Sequence, residues 1–176
     1  MTADVNKDRL WNSLMTLAEI GGTAKGGVRR IALSDEDKRA RDLFCDWARD
    51  AGCDIRVDSI GNIFARRPGR NPDAAPIATG SHIDSQPAGG KFDGAFGVMA
   101  GLEVVRALND AGIETEAPIE IVDWTDEEGA RFAAGCIGSG VFSGHRDLDK
   151  ALALSDSDGV TVAKEIELED KLENMG

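Results

Sequence analysis

The feature that most constrains this chain is a glycine-rich connection running from Thr79 to Gly94, Thr79-Gly80-Ser81-His82-Ile83-Asp84-Ser85-Gln86-Pro87-Ala88-Gly89-Gly90-Lys91-Phe92-Asp93-Gly94. A short apolar run, Pro76-Ile77-Ala78, precedes it, and apolar residues at helical spacing from Ala95 to Leu108 follow it. That order predicts a buried strand, a turn and a helix, with one imidazole and two carboxylates on the turn. In open α/β sheets, ligands bind at the carboxyl ends of the strands. A second apolar run, Ile119-Glu120-Ile121-Val122-Asp123-Trp124, ends in Thr125-Asp126-Glu127-Glu128-Gly129. Two strand ends that carry imidazole and acidic side chains are the raw material of a metal site.

The strand–helix–strand succession argues for a βαβ unit in a layered α/β fold, with Pro76 to Gly80 buried as in a parallel sheet. Upstream, Leu10, Trp11, Leu14, Leu17 and Ala18 make a helix-period stripe over Asp8 to Ile20, stopped by Gly21-Gly22. Ser34 is expected to cap a second helix whose Asp35 and Glu36 suit its positive end, and Gly52 to end it. Ile55 and Val57, then Ile60 to Ala65, read as two strands joined at a tight turn. Asp93 to Ala111 is the central helix, and Asp147 to Leu154 a short one. Residues 1–158 are thus expected to form one part of a catalytic domain. Residues 159–176 read as an acidic tail, in which Glu165 to Asn174 has no evident element to pack on.

Charge narrows the partners. The chain of 176 residues is 41% apolar and 30% charged, with a formal net charge of −12. That balance repels phosphates, so neither nucleic acid nor an anionic membrane is expected, and it attracts divalent cations. Cys45, Cys53 and Cys136 are odd in number and lack metal-type pair spacing, which argues against a disulfide framework and for a reducing, cytoplasmic setting. The apolar run from Gly94 to Leu102 is far shorter than the ~20 residues of a bilayer span.

A lone histidine is most often a surface or satisfied core residue. His82, however, is followed two residues later by Asp84, and on extended backbone that spacing puts both side chains on one side. Asp84 can then accept the distal ring N–H and fix the tautomer. Asp93 follows a Gly-Gly turn at the start of a helix, where a carboxylate can serve as an N-cap, a ligand or both. Glu127 and Glu128 point in different directions, so one can bind a metal while the other stays free as a base.

These stretches resemble the amidase, hydantoinase and carbamoylase branch of the dinuclear-metal aminopeptidase and aminoacylase superfamily. That branch includes N-carbamoyl-L-amino-acid hydrolases, β-ureidopropionases and allantoate amidohydrolases. The matching segments are residues 27–34, 58–66, 79–105, 117–120, 124–132 and 138–142. The resemblance implies an α/β/α zinc-exopeptidase-like catalytic domain, present as its N-terminal half. It implies that His82 ligates one metal, Asp93 bridges two, Glu128 ligates the second and Glu127 is the general base, with Asp84 behind His82. Two divalent ions, zinc first and manganese or cobalt next, would complete the site. It further implies a small-molecule substrate, an N-carbamoyl-L-amino acid or N-carbamoyl-β-alanine with allantoate as the alternative, and a homodimer for the full-length family member. The family's downstream His-Ile-Glu-Gln-Gly segment has no counterpart, and the one other histidine, His145, fits neither remaining ligand motif.

Rival readings are weaker. Gly89-Gly90-Lys91 suggests a phosphate loop, but Phe92 stands where a Ser or Thr would be needed. Ser139 lacks the glycine two residues before it that a nucleophile elbow needs, because Ile137 stands there. A half-domain without catalysis, acting as a scaffold or association module, is the rival from another class. Arg29, Arg30 and Arg66 read as solvated surface cations, with a substrate carboxylate as their alternative partner.

Overall fold

The structure, a computed structural model, describes residues 2–173. Helix α1 (Lys7–Leu17) opens on Asn6, whose side chain accepts the amides of Asp8 and Arg9, and it buries Leu14 and Leu17. Helix α2 (Asp35–Asp50) is capped by Ser34, which accepts the Asp37 amide. Its first turn holds Asp35, Glu36 and Asp37 against the positive end of the helix dipole. Ala40, Phe44 and Ala48, four residues apart, form its buried stripe. Truncating the fully buried Phe44 to Ala is expected to cost about 3–5 kcal/mol.

Strands β1 (Asp54–Val57) and β2 (Ile63–Arg67) form the expected hairpin, with Asp54 opposite Arg66 and Val57 opposite Ile63. Strand β3 (Ile77–Ser81), helix α3 (Ala95–Asp110) and strand β4 (Ile119–Asp123) follow. The sheet order is β1-β2-β4-β3. Only the β3–β4 pair is parallel, with Ser81 level with Asp123; β2 runs antiparallel to β4. The sheet is therefore mixed rather than parallel throughout. β3 also departs from the buried strand expected: Ile77, Ala78, Thr79 and Gly80 are all exposed because β3 is the sheet's outer edge. An apolar pentapeptide does not itself encode whether a further strand lies beside it.

One core joins α1, α2 and α3 to the sheet face that carries Ile63, Ala65 and Ile121. Gly97 and Gly101 let α3 lie close on β3 and β4: a Cβ on Gly97 would stand 2.7 Å from Ser81 Cβ, and one on Gly101 3.0 Å from Ile121 Cγ2. Elsewhere, Phe64, Trp124 and Phe142 form an aromatic cluster with centroids 5.1–6.0 Å apart. A second core gathers Leu33, Ile60, Phe132, Ile137, Ala151 and Val162 under the short helices α4 (Ile137–Phe142) and α5 (Leu148–Leu152) and the start of α6 (Val162–Glu173).

The acidic stretch differs from its expectation at its beginning. Val162 is fully buried, Ile166 packs on the second core, and Glu165 pairs with Arg131 at 3.0 Å. Asn174, the last residue of that expected segment, lies outside the described residues. No helix among those described is long and apolar enough to cross a membrane.

Candidate active site

Parallel pairing of β3 and β4 brings their carboxyl ends side by side, and the Trp124 amide donates to the Ser81 carbonyl at 2.8 Å. The chain beyond each end supplies the candidate residues. His82, Ile83, Asp84 and Ser85 are buried directly after the exposed strand. The loop after β4 is tied from behind, where Asn62 accepts the Thr125 amide at 3.0 Å and donates to the Gly138 carbonyl at 3.1 Å. The amides of Cys136, Ile137 and Gly138 donate in turn to the carbonyls of Glu127, Asp126 and Thr125.

Asp84 is the hub. Its carboxylate accepts the backbone amides of Glu127 and Glu128, each at 3.2 Å. His82 Nδ1 lies 3.0 Å from the Asp84 carbonyl and 3.4 Å from its Oδ1. With Nδ1–H given to Asp84, Nε2 is turned outward, and it stands 3.3 Å from Glu127 Oε2. Burial favours the neutral His82 ring, but the Asp84 hydrogen bond and charge, helped by Glu127, outweigh it and raise the ring's pKa to about 9. The other face of the imidazole is closed by Gly94. A Cβ there would sit 2.4 Å from Nε2, and the residue's φ of +62° also favours glycine.

The remaining expected residues are placed differently. The Glu128 carboxylate accepts from Gln86 Nε2 at 2.9 Å, and its carbonyl accepts from the same nitrogen at 3.2 Å. Asp93 is exposed and does not cap α3, because Gly94 occupies the N-cap and no side chain bonds there. His145 is exposed on the loop after α4. The structure thus gathers His82, Asp84 and Glu127, holds Glu128 beside them through Gln86, and leaves Asp93 one residue from the glycine that touches His82.

For a divalent cation, this donor set fits in kind: an imidazole with its distal nitrogen satisfied, and carboxylates nearby. The cage is partial, since no group of three His, Cys, Asp or Glu among the described residues stands where it could hold a metal ion.

Several residues around the site carried no signal in the sequence. Gln86 and Asn62 are ordinary amides whose roles appear only with their partners. Cys136 Sγ donates to Glu127 Oε1 at 3.5 Å. Asp126 is buried with a φ of +48° and no hydrogen-bond partner on either carboxylate oxygen; burial, with the Asp84 charge adding to it, lifts its pKa to about 7. Burial likewise lifts Asp123 to about 6 against the pull of Arg41. Of the arginines read as solvated, Arg29 is exposed and Arg66 pairs with Glu120 at 3.0 Å. Arg30 is a correction, since it is 1% exposed and bonded to backbone carbonyls. Nothing in the dipeptide Arg29-Arg30 distinguishes the buried one.

A family model described as Peptidase family M28 matches residues 62–173, which include both strand ends of this site. The chain belongs to this family. Its relatives are the carbamoylases and amidases that the motifs resemble. It is 50% identical over 162 residues to an N-carbamoyl-L-amino-acid amidohydrolase of Rhizobium meliloti, covering 92% of this chain and 39% of that protein. It is 34% identical over 159 residues to a ureidoglycolate hydrolase of Arabidopsis thaliana, covering 90% of this chain and 33% of that one. A solved hydantoinase/carbamoylase family amidase from Burkholderia ambifaria superposes with a TM-score of 0.95 at 55% identity, over 97% of this chain and 42% of that chain. This M28 chain therefore has the α/β architecture of those amidases and spans about two fifths of their length.

Proposed function

We propose that this chain supplies one part of the active site of a metal-dependent amidohydrolase that cleaves a linear C–N bond in N-carbamoyl-L-amino acids or N-carbamoyl-β-alanine. The observation that carries the reading is the convergence of His82, Asp84 and Glu127 at the adjacent ends of β3 and β4, with Glu128 held alongside. The names of the Rhizobium and Burkholderia proteins support the reaction class.

In this reading His82, Asp93 and Glu128 are this chain's ligands for divalent ions. Zinc is the first candidate, with manganese and cobalt next; further ligands come from the part of the relatives that this chain does not span. Such ions would supply positive charge to the oxyanion that develops on the carbonyl. The protein groups do the rest. Asp84 holds the His82 ring with Nε2 outward, and its grip on two successive amides fixes where the Glu127 and Glu128 side chains begin. Gln86 steers the Glu128 carboxylate. Glu127 takes a proton from the attacking water and returns it to the leaving nitrogen. Water and a carbamoyl amino acid then give the free amino acid, ammonia and carbon dioxide. The substrate is a small molecule; neither nucleic acid nor a membrane surface is required.

A second reading keeps the chemistry and changes the substrate to a ureido acid, such as ureidoglycolate or allantoate; the Arabidopsis relative supports it. Metal analysis of a protein of the relatives' length that carries this sequence, paired with ammonia release from N-carbamoyl-L-amino acids, ureidoglycolate and allantoate, tests both. Stoichiometric metal with turnover supports the hydrolase, and the preferred substrate chooses between the two. Absence of both metal and turnover leaves the scaffold reading.

A further inference from the structure

Asp84 can orient three other residues only if its own backbone is fixed, and the residues on either side of it are both tied to Arg30. The Arg30 Nε donates to the Ile83 carbonyl at 3.0 Å. Its backbone amide donates to Ser85 Oγ at 2.9 Å, and its carbonyl accepts the Ser85 amide at 2.7 Å. The same guanidinium reaches the other way, where Nη1 donates to the carbonyls of Leu17 and Ile20 at 3.2 and 3.1 Å, beyond the last turn of α1. The Leu17 carbonyl also accepts the Ile20 amide at 3.2 Å, so Arg30 adds a second donor at the end of the helix. Two residues before it, Val28 pairs with Gly89 in both directions at 3.0 Å, so the segment also grips the far side of the glycine-rich loop.

A buried guanidinium is costly unless its donors and its charge are matched. Here the donors meet carbonyls, and the charge lies among the buried acids Asp37, Asp84 and Asp123. A lysine in its place keeps the charge but cannot span two carbonyl groups that lie in opposite directions.

We infer that Arg30 is a positioning residue: it clamps Ile83 and Ser85 to the end of α1 and thereby fixes Asp84, the carboxylate that orients His82, Glu127 and Glu128. The inference deepens the hydrolase reading, because the residues it positions are those given catalytic or ligand roles there. Its first readout does not depend on that reading.

The test uses the 176-residue chain labelled at histidine, in which His82 and His145 are the only two signals and the exposed His145 is an internal control. Arg30→Lys is expected to speed exchange of the His82 Nδ1 proton by at least about tenfold and to weaken zinc binding by about 10–100-fold. Circular dichroism and the His145 signal should stay unchanged. Ser85→Ala, which removes one tie and no charge, should move the same two readouts in the same direction by less. A folded variant with a lowered melting point but an unaltered His82 proton and zinc affinity would make Arg30 merely structural and overturn the inference. If Arg30→Lys does not fold, Ser85→Ala decides by the same criterion. If the unaltered chain takes up no zinc, the metal part of the hydrolase reading fails, and the His82 exchange rates still decide the role of Arg30.

Discussion

Strand β3 and the segment that follows it are nine consecutive residues with opposite surroundings. Ile77, Ala78, Thr79 and Gly80 are exposed along the sheet's outer edge, whereas His82 to Ser85 are buried and bonded to the Arg30 segment and to the Glu127–Glu128 loop. The edge has one strand neighbour, β4, and α3 lying on one face. The buried end owes its shape to α1, to the Arg30 segment, to the Glu127 loop and to Gly94. Contacts from many directions are what hold a polar group in one orientation, so the site belongs at the strand's end rather than along it.

The sharpest way to break that contrast is at the carboxylate facing His82. In a protein of the relatives' length that carries this sequence, Glu127→Gln is expected to lower turnover by about 10²–10⁴ while leaving metal content unchanged. Steady-state rates beside metal analysis check it, and a near-normal rate would remove Glu127 as the base. Next in size is Asp84→Ala, which strips acceptors from two amides and removes the charge beside the His82 ring, leaving only the backbone carbonyl to its Nδ1. It should cost this chain about 3 kcal/mol, read from urea unfolding. Gly94→Ala follows, at about 2 kcal/mol, because its Cβ must displace the His82 ring and its φ is left-handed.

A pH series probes the buried end without mutation. The folded-state pKa values of His82, Asp126 and Asp123 are all raised, to about 9, 7 and 6. In each case the folded chain binds its proton more tightly than the unfolded chain does. The histidine's contribution is complete below about pH 6.5 and is lost as pH rises to about 9. The two acids become a burden as pH climbs from the ordinary carboxylate range to about 6 and 7. All three terms have one sign, so the metal-free chain should melt at a lower temperature at pH 8.5 than at pH 5.5. A melting point that rises over that interval would contradict the placement of these groups. The smallest effect belongs to the edge: Ile77→Lys should change stability by no more than about 0.5 kcal/mol and should reduce self-association at high concentration, seen by light scattering.

The same contrast explains what could be read from the letters. The His82–Asp84 pair was legible because period-two geometry is local, and helices α1 to α3 were legible because their apolar stripes, and the Ser34 cap of α2, are local as well. The exposure of β3 was not, since it depends on which strand lies beside it. The depth of Arg30, the hold of Gln86 on Glu128 and the tie from Asn62 to Thr125 were not, because each joins residues 42 to 63 positions apart or more than one partner at once. The packing of Ile166 was hidden by its acidic neighbours, since Val162, Ile166 and the Glu165–Arg131 pair together seat that turn.

One aromatic side chain gives this arrangement a natural reporter. Trp124 follows β4 immediately, packs against Phe142 with ring centroids 5.1 Å apart, and is three residues from Glu127. The other indoles, Trp11 and Trp47, lie on α1 and α2. Replacing those two with phenylalanine would leave a single fluorophore beside the loop, and its emission would follow ligand occupancy in real time, without label or coupled assay.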